Sequence, residues 1–118
     1  MSIILRRIYD ENITIGGHRV LTDRIWPRGI SKEDAEIDEW LKSIAPSPEL
    51  RKWFNHDPAK FDTFTEAYRK EIENNAEAQS KIKELKAIAK DKRLILLFGA
   101  KDSKHNHAVV LKEILEDE

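Results

Sequence analysis

The sequence predicts an α/β fold: a small, mostly parallel sheet of about four strands, flanked by helices in a three-layer-like single domain. Three observations carry this. Strand-like runs alternate with stretches of helical periodicity, the pattern of βα units. One run, "RLILLF" at 93–98, has no polar alternation and reads as a strand buried on both faces, as parallel sheets require. The chain has 118 residues, which fits one domain spanning 1–118 and one real core.

The elements follow in order. "SIILRRIY" (2–9) is rich in β-branched residues and reads as the first strand. "DENITIGGH" is a connection with a turn at Gly16-Gly17. This link is short and lacks a helical pattern, so the first strand is open to an antiparallel placement. "HRVLTDRI" (18–25) is the second strand, ended by Pro27 and Gly29. Ser31 is the expected N-cap of a short helix, with Asp34 at its third position.

"IDEWLKSIA" (37–45) fits two patterns. Its apolar residues at 37, 40, 41 and 44 suit a helix, while its length and the Pro46-Ser47-Pro48 stop suit a strand ending at Ala45, which we favour. Ser47-Pro48 starts a helix with Leu50, Trp53 and Phe54 on its buried face. Asp57-Pro58 repeats the signal before a longer helix bearing Phe61, Phe64, Tyr68 and Ile72. "NNAEAQ" interrupts, and Ile82, Leu85 and Ile88/Ala89 mark another helix; the last is expected from about 104 to 116.

Composition narrows the function classes. Lys+Arg 21 and Asp+Glu 22 nearly cancel, which argues against a nonspecific nucleic-acid binder without excluding a local basic patch. The absence of cysteine removes disulfides, cysteine-ligated zinc and cysteine nucleophiles, and fits a reducing cytosol. No apolar run approaches a membrane span, and "MSIILRRIYD" has its arginines on the wrong side for a signal peptide. The expected setting is cytoplasmic. Neither G-x-G-x-x-G nor a Walker lysine motif occurs, and no cofactor is expected.

Ligands of open α/β sheets bind beyond the carboxyl ends of the strands, so the strand exits map the candidate site. "DRIWPRG" (23–29) leaves the second strand. Arg24 and Arg28 suit planar anions, Asp23 can orient an arginine or handle a proton, and Trp26 can stack under a guanidinium or a base. The competing reading is an internal Asp–Arg pair with Trp26 as packing.

"FGAKDSKHNHAVVL" leaves the last strand. Here Lys101 adds charge, Asn106 joins the expected ligand-binding set, and His105 is the candidate acid/base. A capped helix with two surface histidines competes with that. His105 and His107, two apart, face different ways on a helix, and no metal site is expected. Ser47 is foremost an N-cap and secondarily a ligand-binding hydroxyl, with no G-x-S-x-G elbow around it. Arg51, Lys52 and His56 line the same opening or are solvated.

The stretches "RVLTDRIWPRGISKE", "IDEWLKSIAPSPELRKWFNHDPAKFDTF" and "LILLFGAKDSKHNHAVVLKEIL" resemble the YeaO-like family of bacterial proteins of unknown function, over nearly the whole chain. The resemblance implies an α/β fold and a cytoplasmic bacterial protein, and no established activity. It supports a third strand near 37–45. Longer, more distant relatives often carry cysteine in the late motif; Phe98, Gly99, His105 and Asn106 stand in that region here, so cysteine chemistry does not transfer. "TIGGHRV" also departs from the Asp-Gly usual before the second strand.

The leading expectation is a small anionic partner, phosphate or nucleotide-like, with Asp23 and His105 as catalytic candidates in a small hydrolase or transferase. The alternative is a non-enzymatic ligand-sensing or protein-interaction module. A DNA-binding regulator is the weakest reading, because the chain lacks a winged helix-turn-helix pattern. The oligomeric state is left open.

Overall fold

The computed structural model describes residues 2–10 and 16–117; the expected connection at 11–15 lies outside them. Strand β4 (Leu94–Phe98) is the centre of the molecule, and all five of its residues are buried. It lies between β1 (Ile3–Arg7) and β2 (His18–Leu21), with the two-residue β3 (Glu39–Trp40) on the outer edge of β2, in the order β1-β4-β2-β3. Every pairing is parallel: Ile3 opposes Leu94, His18 also opposes Leu94, and Val20 opposes Glu39. β1 is therefore parallel, and the antiparallel alternative falls. All four carboxyl ends share one rim.

Alternation along β4 divides the interior in two. Leu94 and Leu96 face a large core built with α2 (Pro48–Phe54), α3 (Phe61–Glu73), α4 (Ala76–Asp91) and α5 (His107–Glu116). Ile95 and Leu97 face a smaller core closed by the one-turn α1 (Lys32–Ala35), Ile37, Trp26 and Trp40. The sheet is thus covered on both faces but unequally, with four helices on one side and a short helix and loop on the other.

The expected caps hold. Ser31 accepts from the Asp34 N–H at 3.0 Å, and Ser47 from the Leu50 N–H at 3.1 Å. The expected strand over 37–45 is cut to two residues. Leu41 leaves the extended region and Lys42–Ile44 form a 3-10 turn. The apolar spacing explains this: Ile37 and Trp40 pack in the small core, whereas Leu41 and Ile44 pack in the large one. A flat strand cannot serve both in that register. β2 also stops at Leu21 rather than at 25, and α5 starts at His107 rather than near 104. Gly17 has φ +144, and a Cβ there would sit 2.6 Å from the Arg93 carbonyl oxygen, so only glycine enters β2 this way.

The opposite rim carries a charge network. Glu39 meets His18 Nε2 and Lys81 Nζ, each at 3.1 Å, and Lys81 also meets Glu84 at 2.7 Å. Burial pushes the Glu39 carboxyl up, but hydrogen bonds from Lys81 and His18 outweigh it and hold it below its ordinary value of 4.5. A carboxyl depressed on folding adds stability above its ordinary value and loses it as pH falls through the folded one. Glu39→Gln should therefore cost up to about 1 kcal/mol at neutral pH. It should cost nothing once the medium is acid enough to protonate Glu39 in the folded protein. Urea titrations across the acid range measure the difference, and an unchanged cost at both extremes would refute the linkage.

Candidate functional site

The exits of β1, β2 and β4, helix α2 with the residues just after it, and the start of α5 enclose an open cleft of about 1160 Å³ on the carboxyl rim. Arg7 joins two of these exits. Its Nε donates to the Ala100 carbonyl at 3.0 Å and its Nη1 to Asp10 at 2.9 Å, while its guanidinium lies 4.9 Å from the Tyr9 ring centre. The Tyr9 hydroxyl donates to the Arg28 carbonyl at 2.8 Å, which ties the β1 exit to the loop after β2.

Asp23 lines the cleft where β2 and β4 end side by side. Its Oδ2 accepts from the Gly99 N–H at 2.9 Å, and a Cβ on residue 99 would approach that oxygen to 2.8 Å, so the glycine makes room for the carboxylate. Thr22 donates its hydroxyl hydrogen to the Leu97 carbonyl at 2.9 Å and lies 3.1 Å from His107 Nε2. A hydroxyl with its hydrogen so committed can only accept, which assigns the hydrogen of this pair to Nε2. Asp23 Oδ1 sits 3.0 Å from the same nitrogen. That buried oxygen nevertheless receives no aligned hydrogen bond among the described residues. A His–Asp contact is thus set in the cleft lining, with Nε2 shared between Thr22 and Asp23.

The remaining expected residues divide. Arg24 lines the cleft, but its Nε and Nη2 donate to the carbonyls of Pro46 and Ala45 at 3.0 and 3.2 Å, bracing the loop before α2. Ser47 is committed to structure: its Oγ donates to Glu71 at 2.6 Å while capping α2, and its N–H meets the other Glu71 oxygen at 2.9 Å. It borders a separate cavity of about 280 Å³, with Arg24, Glu71 and Tyr68. Burial pushes the Tyr68 hydroxyl far above the usual tyrosine range, and it donates to the Ile44 carbonyl.

Trp26 lies outside the cleft lining. It packs edge-on against Trp40 with ring centres 5.2 Å apart, and its Nε1 donates to the Ile30 carbonyl at 2.6 Å. The Arg28 side chain is exposed beyond the lining as well.

His105 is also absent from the lining. It pairs with Asp102 at 2.9 Å and meets the Phe61 ring edge-on. The Lys104 N–H first, and then the His105 ring, hold the Asp102 carboxyl below its usual range. Asn106 does line the cleft, as the N-cap of α5, accepting from the Val109 N–H at 3.1 Å. Its Nδ2 donates to the Asp102 carbonyl at 2.8 Å.

The charge of the lining is one-sided. Arg7, Arg24, Arg51, Lys52 and Lys101 face Asp23 and Asp102 in a chain whose net charge is −1. Among the described residues, the side chains of Arg51, Lys52 and Lys101 have no hydrogen-bond or ion-pair partner. Arg51, Lys52 and His56 line this cleft and are exposed to solvent, whereas Ser47 borders the separate cavity. Arg7 and Tyr9 were not visible from the sequence as site residues, since nothing in a strand-like run marks which cation turns onto the rim. His107 takes the place expected for His105.

No helix among the described residues is long and apolar enough to cross a membrane. No solved structure matches the chain. It is 44% identical to the uncharacterized protein YeaO of Escherichia coli K12 over 115 residues, 98% of this chain and 97% of that one. It is 36% identical to an uncharacterized protein of Mycobacterium tuberculosis over 109 residues, 92% of this chain and 89% of that one. The family model described as "Inactive DUF488-N3 subclade" matches residues 2–118, and the chain belongs to that family.

Proposed function

We propose that the protein is a non-enzymatic binding module that holds a small anion, phosphate or nucleotide-like, in the rim cleft. The observation that carries this is the set of unpaired cations, Arg51, Lys52 and Lys101, lining one concavity that Arg7 also lines. Exposed cations without internal partners, gathered in one concavity, concentrate an opposite charge. The description of the matching family as inactive agrees with this reading. So does the commitment of the Ser47 hydroxyl to Glu71 and of His105 to Asp102.

One observation favours a second reading, a small hydrolase or transferase: the His107–Asp23 contact lies in the same cleft. Turnover separates the two. Phosphate esters recovered unchanged after prolonged incubation support the binding module, and their hydrolysis that depends on His107 supports the enzyme.

The binding itself is tested by calorimetric titration of inorganic phosphate at low ionic strength. Lys101→Ala and Arg51→Ala should each weaken binding about tenfold, near 1.4 kcal/mol. Both side chains are exposed and unpaired, so stability should stay within about 0.5 kcal/mol of the parent. Absence of saturable phosphate binding by the parent protein, or unaltered affinity in the double variant, would overturn the proposal.

A further inference from the structure

The cleft is not uniformly polar. Among the described residues, three large apolar side chains are notably exposed, Tyr9, Ile25 and Trp53, and the first two line this cleft. Ile25 is 61% exposed. It follows Arg24 on the β2 exit, and Pro27 continues the same wall. Tyr9 lines the cleft beside Gly99, where its Cε2 would lie 3.6 Å from a residue-99 Cβ. The unpaired cations Arg51, Lys52 and Lys101 come from different segments, α2 and the β4 exit. At about 1160 Å³ the cleft far exceeds the volume of a bare inorganic anion. Small-molecule sites of about 300–1000 Å³ are mostly apolar with a few placed polar groups.

We infer that the ligand class is an amphipathic anion: a phosphate or carboxylate joined to an apolar body of about ring size. The charged end lies among Lys101, Arg51 and Lys52, and the body lies against Ile25, Pro27 and Tyr9. The inference rests on the anion-binding reading and deepens it. Ile25 belongs to neither apolar core, and together with Tyr9 it sets exposed apolar surface in the same cleft as the cations. A bare anion leaves that surface wet; an apolar body removes it from water and adds affinity in proportion to the area covered.

The experiment compares inorganic phosphate with phenyl phosphate, which carries the same charged group on a ring, by calorimetric titration of the full chain. Phenyl phosphate should bind about tenfold more tightly. Ile25→Ser should remove most of that preference and leave the affinity for inorganic phosphate unchanged. Tyr9→Leu is a second variant, keeping an apolar side chain while removing the ring and the hydroxyl bond to Arg28; it should reduce the preference less than Ile25→Ser does.

Equal affinities for the two probes overturn the inference and leave the anion-binding reading standing. Failure of both probes to bind overturns both. Concentration-dependent dimerisation that Ile25→Ser abolishes would assign the apolar wall to a second copy of the chain and also defeat the inference.

Discussion

Phe64→Ala should lower the unfolding free energy by about 3–5 kcal/mol. Phe64 is 1% exposed, on the inner face of α3. Its ring stacks on Phe54 of α2 with centres 4.2 Å apart, and on Tyr68 at 5.8 Å, with Phe61 at 6.2 Å. Truncation leaves a ring-sized void among rings that cannot all move to fill it, which places the loss in the upper part of the range for buried large-to-small changes. Loss of the aromatic pairing adds to the lost burial.

The effect also reaches the cleft. Phe54 and Phe64 both border it, and the Phe54–Phe64 contact helps to seat α2, which carries Arg51 and Lys52. Phe64→Ala should therefore weaken phosphate binding in the fraction that remains folded, whereas Lys101→Ala weakens binding without a stability cost. Urea unfolding at constant m-value measures the first quantity and calorimetry on the folded protein the second. A stability loss below about 1 kcal/mol would show that the stack closes around the void or carries little packing energy.

Much of the fold was legible because single residue types decide it. "LILLF" has no polar position, so β4 had to lie between two cores. Ser31 and Ser47 sit where a side-chain oxygen can take an orphan helix N–H, and they do. What the sequence could not resolve was direction. In "DRIWPRG", adjacent residues serve different neighbours: Asp23 caps Gly99, Arg24 braces the loop before α2, and Trp26 packs on Trp40. A cluster of expensive side chains marks a crowded strand exit, but which of them turns toward the cleft depends on partners distant in sequence.

His107 lines the cleft and His105 does not, for a local reason. Asp102 and Asn106 are both plausible N-caps. Asp102 spends its carboxylate on the N–H groups of Lys104 and His105, and the helix starts after Asn106. A start three residues later than expected makes His107 the first helical residue, with Nε2 3.0 Å from Asp23.

Arg19→Ala should cost about 3 kcal/mol, the second large loss we expect. Arg19 is 5% exposed, in the middle of β2, where a strand pattern marks no special role for a cation. Its Nε donates to the Glu36 carbonyl at 2.9 Å and its Nη2 to the Ala35 carbonyl at 3.0 Å, both at the end of α1. Helix α1 has four residues, too few to hold itself by its own hydrogen bonds, and Glu36 closes it in the left-handed region at φ 47. The guanidinium satisfies carbonyls that the short helix leaves open, and bonds from a charged donor exceed neutral ones in strength. Alanine would strand those carbonyls beneath the small core.

Arg19→Lys should recover little of the loss, since an ammonium cannot span two carbonyls in the plane of a fork. Arg19→Met separates charge from bulk, because it restores the stem and not the donors. Amide hydrogen exchange should then show α1 opening at lower free energy than β4. If Arg19→Met is as stable as the parent, the weight lies in the packing of the stem against the sheet and not in the hydrogen bonds. Trp26 and Ile30 pack in the same small core as Ala35 of α1, and the loop that carries them, over 23–30, also supplies Asp23, Arg24, Ile25 and Pro27 to the cleft, which links that outcome to the site. Loss of the fork should loosen the wall that carries Ile25 while leaving Lys101 in place, and so reduce the preference for phenyl phosphate more than the affinity for phosphate itself.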